Sequence, residues 1–137
     1  MAQYPSITYP TGQSTVYNIG VGLHDMAPII NGNGFTGASI TAHAGGTRAA
    51  ATPINAALTL IAVCATTADS VALPPAVGGQ LLWITNAGAA SAQVFAAPGT
   101  SDTINGVAAA TGIALAAGKS IVIMSPISGA WFGVLSA

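Results

Sequence analysis

His24, Asp25 and His43 are the only cluster in this sequence with metal-ligand chemistry. Zinc accepts imidazole and carboxylate ligands, so the chemistry is available. The spacing is wrong for it. Adjacent His24 and Asp25 point in different directions on most backbones, and no H-x-x-x-H pair places two imidazoles on one helical face. Solvated histidines, or histidines at an oligomer axis, fit better, and no metal is expected. Gly32-Asn33-Gly34-Phe35-Thr36-Gly37 carries the glycine spacing of a dinucleotide-binding loop. Such a loop needs a strand before it, a helix after it to hold the pyrophosphate, and an acid about 20 residues on. No acid lies between Gly37 and Asp69, and no helical pattern begins at Ala38. A turn-rich loop is expected instead. Gly118-Lys119-Ser120 looks like the end of a phosphate-binding loop, but Ile113 stands where its first glycine must be. A strand-like Ile121-Val122-Ile123-Met124 follows where a helix would be needed, so the amide cradle cannot form. Lys119 reads as an exposed charge at the start of a strand, and no cofactor is expected.

Nucleophilic and acid–base chemistry fare no better. Cys64 is the single cysteine and sits in the apolar run Leu60-Ile61-Ala62-Val63-Cys64, with nothing nearby to lower its pKa. It reads as a buried, inert thiol. There is no glutamate, and the acids are Asp25, Asp69 and Asp102. Asp69 and Asp102 each precede an apolar run, where aspartate stabilises a turn through the backbone around it. A carboxylate pair for general acid–base work is not available. The sequence reads as that of a protein that is not an enzyme.

The composition says what kind of surface surrounds these residues. Of 137 residues, 52% are hydrophobic and 4% charged, with a formal net charge of −1; an ordinary soluble domain is about 25% charged. So few charges favour self-association. Either the chain enters a membrane or an assembly buries much of its surface. The most apolar window, 56–65, is well short of the roughly 20 residues a spanning helix needs, so no membrane is expected. No basic stretch opens the chain, and no secretory signal is expected. Two basic residues cannot neutralise a phosphate backbone, which argues against nucleic acid as a partner. The assembly reading remains.

From residue 53 onward, short apolar runs alternate with Gly, Pro, Asn, Asp and Ser, the punctuation of strands and turns. Strands are expected near 58–64, 69–73, 80–86, 91–96, 102–105, 111–116, 119–125 and 129–135. Thr52-Pro53 could cap a helix at 54–62, but a hairpin of 58–63 with 71–73 is preferred. Connections this short exclude helical crossovers, so the strands should be mostly antiparallel, in a β-sandwich or jelly-roll-like domain. The runs 81–84, 121–124 and 131–135 are apolar towards both faces. One face can pack in the domain; the other should meet another polypeptide. Trp83, Ile121, Ile123, Trp131 and Phe132 are the residues expected to serve the core or an oligomer contact.

The domain boundary is drawn between 1–52 and 53–137. Residues 1–19 hold all three tyrosines, Tyr4, Tyr9 and Tyr17, with Pro5 and Pro10 between them, and read as an extended arm. These five are the expected contact residues of that arm, since tyrosine offers large area and a polar tip; an edge strand folded on the chain's own domain is the alternative. Residues 20–52 are rich in Gly, Ala and Thr, with short strands possible at 18–23 and 38–43.

The order D-S-V-x-L-P at 69–74, N-x-G at 86–88, V-F at 94–95, D-T-I-N-G at 102–106, A-A-G-K-S at 116–120 and G-x-W at 129–131 resembles a β module of tailed-bacteriophage virion proteins. That module occurs in capsid decoration (cement) proteins and some fibre-type proteins. The resemblance implies a decoration protein that is made in the host cytoplasm and binds the major capsid protein on the outer surface of the virion. It also implies a homotrimer, because such proteins often sit at local three-fold positions. A tail-fibre or receptor-binding module is the alternative it leaves open.

Overall fold

A computed structural model of the chain describes residues 36–137. Among them there is no helix; ten strands carry the structure. In chain order they are β1 (Gly37–Thr41), β2 (Thr52–Pro53), β3 (Leu58–Val63), β4 (Ser70–Ala72), β5 (Gln80–Asn86), β6 (Ala92–Phe95), β7 (Thr103–Ile104), β8 (Ile113–Leu115), β9 (Ser120–Ile127) and β10 (Ala130–Leu135). The expected all-β class holds, and each strand expected beyond residue 58 is present within a few residues. Thr52-Pro53 opens no helix. The expected strand at 38–43 appears as β1, while the one at 18–23 lies outside the described residues.

The expected antiparallel arrangement is corrected. A six-stranded sheet runs β1-β3-β5-β9-β10-β7 and a four-stranded sheet runs β2-β4-β6-β8. The pairs β1–β3, β3–β5, β7–β10, β2–β4 and β4–β6 are parallel; only β5–β9, β9–β10 and β6–β8 are antiparallel. Short connections do not force antiparallel pairing here, because strands successive in sequence are mostly not neighbours in a sheet. Strands β1 to β6 alternate between the two sheets, so the crossover from β1 to β3 spans residues 42–57 and holds β2. The crossover from β3 to β5 spans 64–79 and holds β4. Each is long enough for a parallel return, with a strand of the opposite sheet where a helix usually sits. The result is a solenoid-like stack completed by antiparallel strands. The expected hairpin of 58–63 with 71–73 is likewise a corner between sheets.

Asp69 builds that corner. Its carboxylate accepts hydrogen bonds from the Ala65 amide at 2.7 Å, the Thr66 amide at 3.2 Å and the Thr66 hydroxyl at 2.6 Å. These bonds favour the ionised form, so its pKa lies below the ordinary carboxylate value, with the Thr66 hydroxyl contributing most.

Both sheets face one core, filled by Ile61, Ile84, Ile121, Ile123 and Trp131 from the larger sheet and Val71, Val94 and Leu115 from the smaller. Trp131 is wholly buried and its indole N–H reaches the Pro74 carbonyl at 3.3 Å. Asn86 is equally buried. It donates to the carbonyls of Ala90 and Leu115, each at 2.8 Å, and accepts from the Gly88 amide at 3.0 Å. Gly88 is fixed by contact, since a Cβ there would lie 2.5 Å from the Cys64 amide nitrogen. β1 and β2 belong to the same two sheets as the later strands, so the described body includes residues ahead of 53.

Candidate functional site: the open face of the larger sheet

Alternation along a strand sends successive side chains to opposite faces, and in the larger sheet both faces are apolar. Ile61, Leu82, Ile84, Ile121, Ile123 and Trp131 point inward; their neighbours in sequence point out. Register then aligns the outward residues in rows. Leu58 lies beside Trp83, Trp83 beside Val122, and Val122 beside Val134. Leu81, Met124 and Phe132 form a second row. Leu60, Thr85 and Ser120 form a third, where the two hydroxyls share a hydrogen bond of 2.8 Å. Trp83 is 51% exposed and Val134 72%. Between them Val122, Ser120, Leu135 and Ser136 line a shallow depression of about 250 Å³. No charged residue stands in any row.

The two sheets treat their outer faces differently. In the smaller sheet, outward Ala72 and Phe95 are buried together with Ala51. The segment 44–51 supplies that cover and is held by Arg48, whose guanidinium donates to the carbonyls of Ala96 (3.1 Å), Ala97 and Thr100 (2.6 Å). No described segment covers the larger sheet in this way. Its rows hold about 600–800 Å² of exposed apolar side chain, taking large side chains as roughly 150–200 Å² and half exposed. A typical monomer's largest apolar patch is about 300–600 Å². At about 25 cal/mol per Å², covering the face would release roughly 15–20 kcal/mol before the costs of association.

The residues expected at the core or an oligomer contact divide cleanly. Ile121, Ile123 and Trp131 are core, whereas Trp83 and Phe132 stand on the open face. Leu58, Leu60, Leu81, Val122, Met124 and Val134 join them there without having been singled out from the sequence. Splitting each two-sided run by odd and even positions would have found most of them. The Arg48 clamp had no local signal, because its acceptors are backbone carbonyls far along the chain. Tyr4, Pro5, Tyr9, Pro10 and Tyr17, with His24 and Asp25, lie outside the described residues.

The other candidate residues have structural work. Asp102 does more than steady its own turn, because it accepts from the Ala76 amide at 2.8 Å. Cys64 is buried, and burial, reinforced by the charge of Asp69, raises its pKa and keeps the thiol protonated. Gly37 opens β1, so no helix follows the glycine-spaced loop. Gly118 turns the chain from β8 into β9, its amide held by the Asn86 carbonyl at 2.7 Å. Among the described residues no three His, Cys, Asp or Glu side chains gather, and no helix is long and apolar enough to cross a membrane. No family model, curated protein or solved structure matches the chain.

Proposed function

We propose that this chain is a structural virion protein of a tailed phage, a capsid decoration (cement) protein that works by contact and without catalysis. The open, uncharged face of the larger sheet is the observation that carries the reading as an assembly protein. The turn and strand motifs at 69–74, 86–88, 102–106, 116–120 and 129–131 carry the virion assignment, by resemblance. A sandwich-type module belongs to the same proposal, supported by two sheets that share one core. The protein sits on the outer capsid surface as a homotrimer. Its partner is the major capsid protein, contacted through Tyr4, Pro5, Tyr9, Pro10 and Tyr17. A partner that binds only the assembled shell stabilises it by mass action.

Incubating purified protein with undecorated shells tests this. The expected result is regular added density by cryo-electron microscopy and a higher disruption temperature. Shells that bind none of it and melt unchanged would remove the proposal. Deleting residues 1–19 should abolish decoration, and normal occupancy by the truncated protein would remove the arm's role.

A second reading, a tail-fibre or receptor-binding module, is favoured by the outward Trp83 and Phe132, since aromatic faces can stack on sugar rings. Binding of host-surface glycans that Trp83→Ala abolishes, with no binding to shells, would select it.

A further inference from the structure

We infer that the open face of the larger sheet is where copies of this chain meet, each packing that face on the same face of another copy. The inference rests on the proposed reading of the chain as an assembly protein and names the surface and its occupant.

Charge is the first argument. The rows contain no ionised side chain, so they offer nothing to recognise a charged partner and nothing to repel an identical one. Arg48 and Asp69 are tied into bonds within the chain, and the net charge of −1 sets up almost no repulsion between copies.

Shape is the second. Outward side chains are smallest on the edge strand β1. β1 presents Gly37, Ser39 and Thr41, whereas β9 and β10 present Val122, Met124, Phe132 and Val134. A two-fold axis parallel to the strands, placed over β5, lays β1 of one copy on β10 of the other. Phe132 and Val134 of β10 then stand over the small residues of β1, β3 lies over β9, and Trp83 meets its own counterpart at the centre. A closed ring of three, each face shared between two neighbours, also sets the β10 side of one copy against the β1 side of the next.

Area is the third. The exposed rows, at about 600–800 Å² per copy, approach the roughly 800 Å² that each partner contributes to a standard stable interface. Most proteins with such a face would need a cover of their own, and the smaller sheet shows that this chain can supply one. Among the described residues the larger sheet has no such cover, and a second copy would supply it.

The two tryptophans allow a direct test on the full chain. Trp131 is sealed in the core, while Trp83 stands on the face. In the assembled protein acrylamide should quench neither well. Dilution to the monomer should make about half of the emission quenchable, with a dissociation midpoint matching sedimentation equilibrium. Trp83→Lys and Val134→Asp, both on the surface of the fold, should each weaken association by at least about thirty-fold, the effect of losing one central interface residue. Retained Trp131 emission in Val134→Asp would show the domain still folded.

A chain that sediments as a monomer at micromolar concentration overturns the inference, and so does an oligomer that both variants leave intact. If that monomer still decorates shells, the proposed function stands and only the self-association falls. A stable dimer supports the face-to-face contact and removes the trimer.

Discussion

Replacing Asn86 tests whether the stack is held by its polar ties as much as by its core. The side chain is wholly buried and makes three bonds, two to carbonyls at 2.8 Å and one from an amide at 3.0 Å. Asn86→Ala strands two acceptors and one donor. Each unpaired buried group costs about 1–3 kcal/mol, and partial hydration at the 86–90 corner recovers some of it. A loss of about 3–5 kcal/mol is expected, a large share of a total near 5–15 kcal/mol. With a urea m-value of about 1–3 kcal/mol/M, the midpoint should fall by roughly 2 M with m unchanged. Asn86→Asp keeps the shape and the acceptor but aims an anion at two carbonyls. Its carboxyl pKa should be raised above the unfolded value. The protonated form can donate to one carbonyl, so stability should be greatest below the ordinary carboxylate range and fall as pH rises through the raised pKa. A midpoint shift under about 0.5 M for Asn86→Ala, or no pH dependence for Asn86→Asp beyond that of the parent, would refute the reasoning.

Three further outcomes follow from other sites. Gly88→Ala should prevent or severely weaken folding, because its Cβ would sit 2.5 Å from backbone at Cys64; an unchanged melting temperature would contradict that contact. Ser70→Ala should be neutral or stabilising by up to about 1 kcal/mol, since the buried Ser70 hydroxyl finds no partner among the described residues; a clear drop in denaturation midpoint would reveal one. Asp69 should contribute stability above the ordinary carboxylate range and lose it as pH falls through its depressed pKa, so Asp69→Asn should flatten the acid limb of a stability–pH curve. An identical acid limb in the variant would show that another group controls it.

Strand positions were legible because turn residues bracket each apolar run, as Pro74–Gly79 and Gly118 do. Sheet membership was not, because a parallel neighbour leaves no mark on either strand. Leu58 and Trp83 are adjacent in space through a register that depends on the length of the intervening corner. The open face was half legible: two-sided apolarity announced a surface needing a partner, while the rows that make it continuous depend on that same register. Asn86 and Gly88 appeared as a turn motif, and only the close approach of Cys64 shows why both types are required.

The order of strands in the larger sheet also bears on how the chain reaches this structure. β9 and β10 come last in sequence, yet they stand between β5 and β7 and bring Ile121, Ile123 and Trp131 to the core. During synthesis the earlier strands therefore wait with an unfilled interior and a bare exterior until residue 135 has emerged. Contacts so distant in sequence make closure slow, because loop entropy must be lost before they form. In that interval two nascent chains on one message present the same greasy surfaces to each other. Mispairing between them, rather than instability of the finished product, is then the main hazard of making this protein at high level.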